Sequence, residues 1–91
     1  MADIIKITKA LSDEHRFNIV KTLLEQGEIS CSRLTELFPL AQPTISYHLR
    51  VLQESGLIQV RKEGQWSYFS VNRQALEKFL NALQKEFSNT N

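Results

Sequence analysis

Gln42, Thr44, Ser46, Tyr47, His48 and Arg50 fall within a nine-residue span, and each can donate or accept hydrogen bonds; only Arg50 is an obligate charge. Such a set suits the edges of base pairs and the phosphates beside them. Further along, Arg61, Lys62 and Gln65 flank Glu63-Gly64 inside a run rich in Val, Ile, Phe, Tyr and Trp. A basic hairpin that follows an exposed polar helix can hold a groove and its phosphate backbone together.

Elements of defined start and stop must carry these groups. Pro43 has a fixed φ and no N–H, so it belongs in a first helical turn, and a helix is expected to begin near Gln42. Ile45, Leu49 and Leu52, with Val51 beside them, give that helix one apolar stripe opposite its polar face. Gly56 supplies a left-handed stop. Leu57 to Lys62 and Gln65 to Val71 read as two strands joined at Glu63-Gly64. Ile58, Val60, Phe69 and Val71 alternate toward the core, leaving Arg61, Lys62 and Gln65 for the other face and the tip.

The first half reads as three helices. Asp3 to Leu11 carries Ile4, Ile7, Thr8 and Leu11 on one stripe, with Ile5 at its edge. Ser12-Asp13 caps a second helix whose apolar residues Phe17, Ile19, Val20, Leu23 and Leu24 run to Gly27. Ile29 reads as a short strand able to pair with the hairpin. Ser30 or Ser32 caps a third helix through Leu34, Leu37 and Phe38, ended by Pro39. A final helix spans Arg73 to Phe87. The expected fold is therefore mainly α with a small β-hairpin, a winged helix-turn-helix of order α-α-(short β)-α-α-β-β-α, forming a homodimer through its first and last helices. In this division residues 1–91 form one winged-helix DNA-binding domain: 1–12 and 73–88 serve dimerisation, 31–56 the helix-turn-helix, and 57–71 the wing.

Charge sharpens the reading by its placement. The chain has 11 Lys and Arg against 10 Asp and Glu. Residues 1–41 carry five cations and six acids, residues 42–73 four cations and two acids, and the tail balances. The excess therefore sits on the reading helix and wing. At 91 residues the chain is near the size where a lone core is marginal, so a second copy is expected to pair with it. Apolar runs of only a few residues and an early Asp3 and Lys6 argue against membrane insertion or export. A single cysteine excludes an internal disulfide and suits a reducing cytoplasm. No glycine-rich phosphate loop or supported nucleophile constellation is present, so catalysis and a resident cofactor are not expected. Only Ser88-Asn89-Thr90-Asn91 reads as a frayed end.

Three stretches carry a family resemblance: LSDEHRFNIVKTLL (11–24), QPTISYHLRVLQESGLI (42–58) and the hairpin ending YFSV. The sequence resembles the ArsR-type (ArsR/SmtB-like) winged helix-turn-helix transcriptional regulators across nearly its whole length. The resemblance implies a cytoplasmic prokaryotic homodimer that occupies a double-stranded operator and represses transcription until an inducer, often a metal ion, releases it. It also implies that Gln42, Thr44, Ser46, Tyr47, His48 and Arg50 enter the major groove and that Arg61, Lys62 and Gln65 form the wing. The sequence departs from the family where Ala41 replaces the usual Ser and Gln65 a usual basic residue.

The metal sites of the family are poorly matched. Thiol-rich metalloid sensors of this kind carry Cys-Val-Cys where this chain has Ser30-Cys31-Ser32, so the chelating positions are serines. The second family site uses Asp and His on the last helix, and residues 73–87 contain neither. No metal is expected and the inducer is left unknown. Cys31 has two readings, a buried packing residue or a redox-reactive thiol that switches the protein. His15 reads as a solvated first-turn residue, and His48 either as a packing or orienting group or as a DNA contact. Arg16 and Lys9 read as solvated. Trp66 and Tyr68 either pack or flank a phosphate, with packing favoured. Leu76, Phe79, Leu80, Leu83 and Phe87 form a stripe that, with Ile4, Ile7 and Leu11, is expected to make a two-fold seam. The same winged surface would also serve a module that docks another protein.

Overall fold

The computed structural model describes residues 3–88. Asn89, Thr90 and Asn91, expected to fray, lie outside the described residues, as do Met1 and Ala2. The element order is α1 (Ile4–Leu11), α2 (Glu14–Gln26), β1 (Ile29–Ser30), α3 (Cys31–Leu37), α4 (Gln42–Glu54), β2 (Ile58–Glu63), β3 (Trp66–Val71) and α5 (Arg73–Phe87).

Short polar side chains set most of the helix starts. Asp3, Asp13, Ser30 and Asn72 each accept a backbone N–H from three residues on, opening α1, α2, α3 and α5. Ser30 thus caps α3 in preference to Ser32, and Phe38 follows that helix as its C-cap. Ala41 gives α4 no side-chain cap, but its carbonyl accepts from both Thr44 and Ile45. Pro43 removes one amide that would otherwise want a partner.

The end of α4 is a Schellman motif. Gly56 has φ 86° and its N–H bonds the Gln53 carbonyl, while Leu57 N–H reaches back to Leu52. Leu52 and Leu57 are both fully buried, so the apolar contact that accompanies this motif joins the central core.

The sheet order is β1-β3-β2, antiparallel throughout. Ile29 pairs with Phe69, as the early strand was expected to pair with the hairpin. Glu63 faces Trp66 across the end of β2 and β3, so the connecting loop is Gly64-Gln65, one residue later than the expected Glu63-Gly64. Gly64, at φ 61°, takes the first central place, where a two-residue hairpin loop with one left-handed residue wants glycine. Ile19, Leu23, Leu34, Ile45, Leu52 and Leu57 fill the centre between α2, α3, α4 and the sheet. Phe17, expected among the apolar residues of α2, is instead about half exposed.

Two residues assigned to an intersubunit seam prove to be core. Ile7 and Phe79 are 1% and 4% exposed within a single chain, so neither is free to meet a partner. The helix stripes are wide enough to split. Ile7, Ala10 and Phe79 turn inward, whereas Ile5, Leu80 and Phe87 are left outside.

Candidate nucleic-acid interface

Burying Ile45, Leu49 and Leu52 forces the other side of α4 outward. Gln42, Thr44, Ser46, Tyr47 and Arg50 are all exposed there. The Arg50 guanidinium lies 5.9 Å from the Tyr47 ring centre, close enough for a weak cation–π attraction that restrains both side chains. The face offers hydroxyls, an amide and one cation, a set able to meet base edges and phosphates.

His48 does not belong to that face. The structure buries it to 7% exposure, and the physical reason is its spacing: Ile45, His48, Leu49 and Leu52 form an i, i+3, i+4, i+7 stripe. Its Nδ1 lies 3.1 Å from Nη1 of Arg16, whose Nε donates to the Ala10 carbonyl at 2.8 Å. Arg16, expected to be solvated, is therefore a bridge from α1 to α4. A guanidinium only donates, so Nδ1 must accept and the ring proton sits on Nε2. Burial pushes His48 below its ordinary value, the Arg16 and His15 charges push the same way, and Asp13 opposes them. Asp13 is held below the usual carboxylate range, chiefly by the Arg16 backbone N–H that it accepts. His15 is half-buried rather than solvated, its ring 6.0 Å from that of His48.

The wing separates the residues expected to act together. Strand alternation sends Arg61, Tyr68 and Trp66 to the outer face and Lys62 to the other side. Nε and Nη2 of Arg61 donate to the two carboxylate oxygens of Glu28 at 2.9 Å, and Nη1 donates to Glu63 at 2.9 Å. The guanidinium also lies 4.7 Å from the Tyr68 ring centre. Arg61 is thus neutralised by two acids, Glu28 first, and they hold its guanidinium further above its ordinary value. Glu28 is itself held below its usual range by Arg61. Lys62 and Gln65 are exposed at the hairpin end, and Trp66, expected to favour packing, stands half exposed beside them. Among the described residues Arg50 and Lys62 enter no salt bridge.

An exposed polar helix after a short helix, followed by a two-stranded wing, is the arrangement that known proteins share with this one. A helix-turn-helix domain model matches residues 11–61. The arsenical resistance operon repressor of Bacillus subtilis (strain 168) is 36% identical over 72 residues, which is 79% of this chain and 69% of that protein. The chain belongs to the ArsR-type helix-turn-helix regulators. The arsenical resistance operon repressor of Escherichia coli (strain K12) is 41% identical over 68 residues, covering 75% of this chain and 58% of the relative. Among solved structures, an ArsR-like transcriptional regulator from Rhodococcus sp. RHA1 superposes with a TM-score of 0.83 at 28% identity, covering 93% of this chain and 79% of that one.

In this ArsR-type domain the first and last helices leave apolar surface uncovered. Ile5, Leu80 and Phe87 are 64%, 51% and 78% exposed. A groove of about 460 Å³ runs between α1 and α5, lined by Ile4, Ile5, Thr8, Leu83, Glu86 and Phe87. Ile4 and Leu83 in its lining, like Leu11 and Leu76 elsewhere on the two helices, are half-buried and pack against the core. Ile5, placed only at the edge of the stripe from sequence, is the residue that reading undervalued.

The donor set at the start of α3 does not fit a thiolate-bound metal. Cys31 is half-buried, and the hydroxyl of Ser30 is occupied in accepting Arg33 N–H. Among the described residues no three His, Cys, Asp or Glu side chains gather closely enough to hold an ion. Nor is any described helix long and apolar enough to cross a membrane.

Proposed function

We propose that this ArsR-type chain is a cytoplasmic homodimeric repressor that binds operator DNA in a sequence-specific manner. The observation that carries the reading is the division of α4, whose apolar side is buried while Gln42, Thr44, Ser46, Tyr47 and Arg50 stand clear beside the wing. In the proposed complex those five side chains enter the major groove. Lys62 and Gln65 approach the flanking phosphates and Arg61 joins them once its acidic partners release it. Two copies related by a dyad through α1 and α5 bury Ile5, Leu80 and Phe87 and set the two α4 helices about one turn of B-DNA apart, roughly 34 Å. The relatives named as arsenical resistance operon repressors support repression as the outcome. Blocking a promoter requires only occupancy, and no chemistry on the nucleic acid is called for.

Selection from randomised duplexes, followed by native mobility shift over a salt series, tests this. The expected result is an imperfect palindrome bound with an affinity that falls as salt rises. Retention of all duplexes alike, with no response to salt, would refute it and leave docking to another protein as the use of the winged surface.

A further inference from the structure

Arg16 is bonded to two elements at once. Its Nε holds the buried Ala10 carbonyl in α1, a helix of the proposed seam, and its Nη1 holds His48 in α4. The His48 ring lies 5.7 Å from that of Tyr47, the exposed residue next to it in the chain. The charged and titratable groups around the ring come from α2 and its cap (Asp13, His15 and Arg16) and from its own helix (Tyr47). Among the described residues α1 is tied to it by the Ala10 carbonyl, through Arg16. The charges that shift it are those of Asp13, Arg16 and His15, and none comes from α1, α3 or β2, which also pack on α4.

We infer that Arg16 is a positioning residue for DNA binding: by joining the Ala10 carbonyl to Nδ1 of His48 it fixes the stance of α4, and the joint holds only while His48 is neutral. This inference rests on the DNA-binding reading above. Protonation of the ring would set one donor against another and place two cations 3.1 Å apart, so the joint would open and the face carrying Tyr47 would lose its support. Burial favours the closed joint, because the folded ring titrates below the ordinary histidine value of about 6.5. The joint is therefore intact above that value and is lost as pH falls past the ring's own titration. The sign is distinctive. A histidine facing phosphate gains a proton on binding and strengthens the complex in acid, whereas His48 must shed or exclude one.

The test is operator affinity of the purified full chain from pH 8.0 to 4.5, through the His48 titration located by NMR, at constant ionic strength, with circular dichroism at each pH to verify folding. Wild-type affinity is expected to fall by about tenfold for each His48, and so by about a hundredfold for the dimer with its two His48 side chains, over one pH unit below the titration of His48. His48→Gln, which keeps a non-titrating acceptor, should lose that dependence whatever its affinity at pH 8.0, and His15→Gln should retain it. Imidazole titration followed by NMR gives a second measurement that needs no variant: His48 should titrate lower in the DNA complex than in the free protein. Absence of wild-type binding at pH 8.0 would instead strike the DNA-binding reading itself. Binding at pH 8.0 with an affinity that is flat or rises in acid, or a His48 that titrates higher in the complex, would overturn the positioning role.

Discussion

Glu28→Gln should make the protein bind DNA more tightly and more salt-dependently. Arg61 spends Nε and Nη2 on Glu28 and Nη1 on Glu63, so the three side chains together carry a net charge of −1 where the wing would be expected to present a cation. A phosphate must compete with both acids for that guanidinium. Removing the Glu28 charge brings the cluster to neutral and leaves only Glu63, 68% exposed, as a rival. Each phosphate newly neutralised steepens the slope of log K against log salt by about 0.9, so recruiting Arg61 in both protomers of a dimer adds roughly 1.8. Fluorescence anisotropy on an operator duplex between 50 and 300 mM KCl would read this. Glu77→Gln on α5, exposed and away from the wing, controls for net charge alone. If Glu28→Gln leaves the slope unchanged or weakens binding, Glu28 is a strut that holds Arg61 during binding, and the competition argument fails.

Three further substitutions test local geometry. Gly56→Ala puts a Cβ into open space but asks an L-residue to hold φ 86°, so the cost is backbone strain of about 1–2 kcal/mol. For a chain of this size that lowers Tm by roughly 4–16 °C in thermal unfolding, and an unshifted Tm would contradict the Schellman reading. Leu80→Asp, at a half-exposed position, should leave the fold intact, give a monomer in sedimentation equilibrium and abolish operator binding. Phe79→Ala, one residue away but buried, should cost about 3–5 kcal/mol of stability by opening the core. A Leu80→Asp protein that still sediments as a dimer would move the seam elsewhere.

The local devices were readable because they are written in short spans. Pro43, Gly56, the Asp13 cap and the alternation of Ile58, Val60, Phe69 and Val71 each constrain a few neighbouring residues, and the elements formed within a residue or two of where they were expected. His48 was legible too, since its position three residues after Ile45 and four before Leu52 puts it on the buried stripe; its polarity masked its spacing. The pairings of Arg16 with His48 and of Arg61 with Glu28 were not legible, because these partners stand 32 and 33 residues away in the chain and no periodicity reports which cation meets which acceptor. Two residues expected at the seam, Ile7 and Phe79, proved to be core for a related reason. Helical spacing marks Ile7 and Phe79 as apolar, as it marks Leu80 and Phe87, but only the packed fold decides which half of a wide stripe faces inward.

Three long-range arginine contacts meet on α2 or just past its end. Arg16 lies in the first turn of α2 and holds α4 through His48, whereas Glu28, just past the other end of α2, holds the wing through Arg61. A rod of 13 residues, about 20 Å long, therefore separates the polar tie to the reading helix from the polar tie to the wing. The polar tie from α2 to α5 is weaker: Nη2 of Arg73 reaches the Leu24 carbonyl at 3.3 Å in an exposed setting. Arg16 changes that asymmetry, because its second bond, to Ala10, belongs to α1 and to the side of the molecule where a partner would sit. A shift of α1 across the proposed seam would pull on the Ala10 carbonyl and, through the one rigid guanidinium, on His48. Rearrangement there would have this polar route to α4, whereas the wing is tied near the far end of α2.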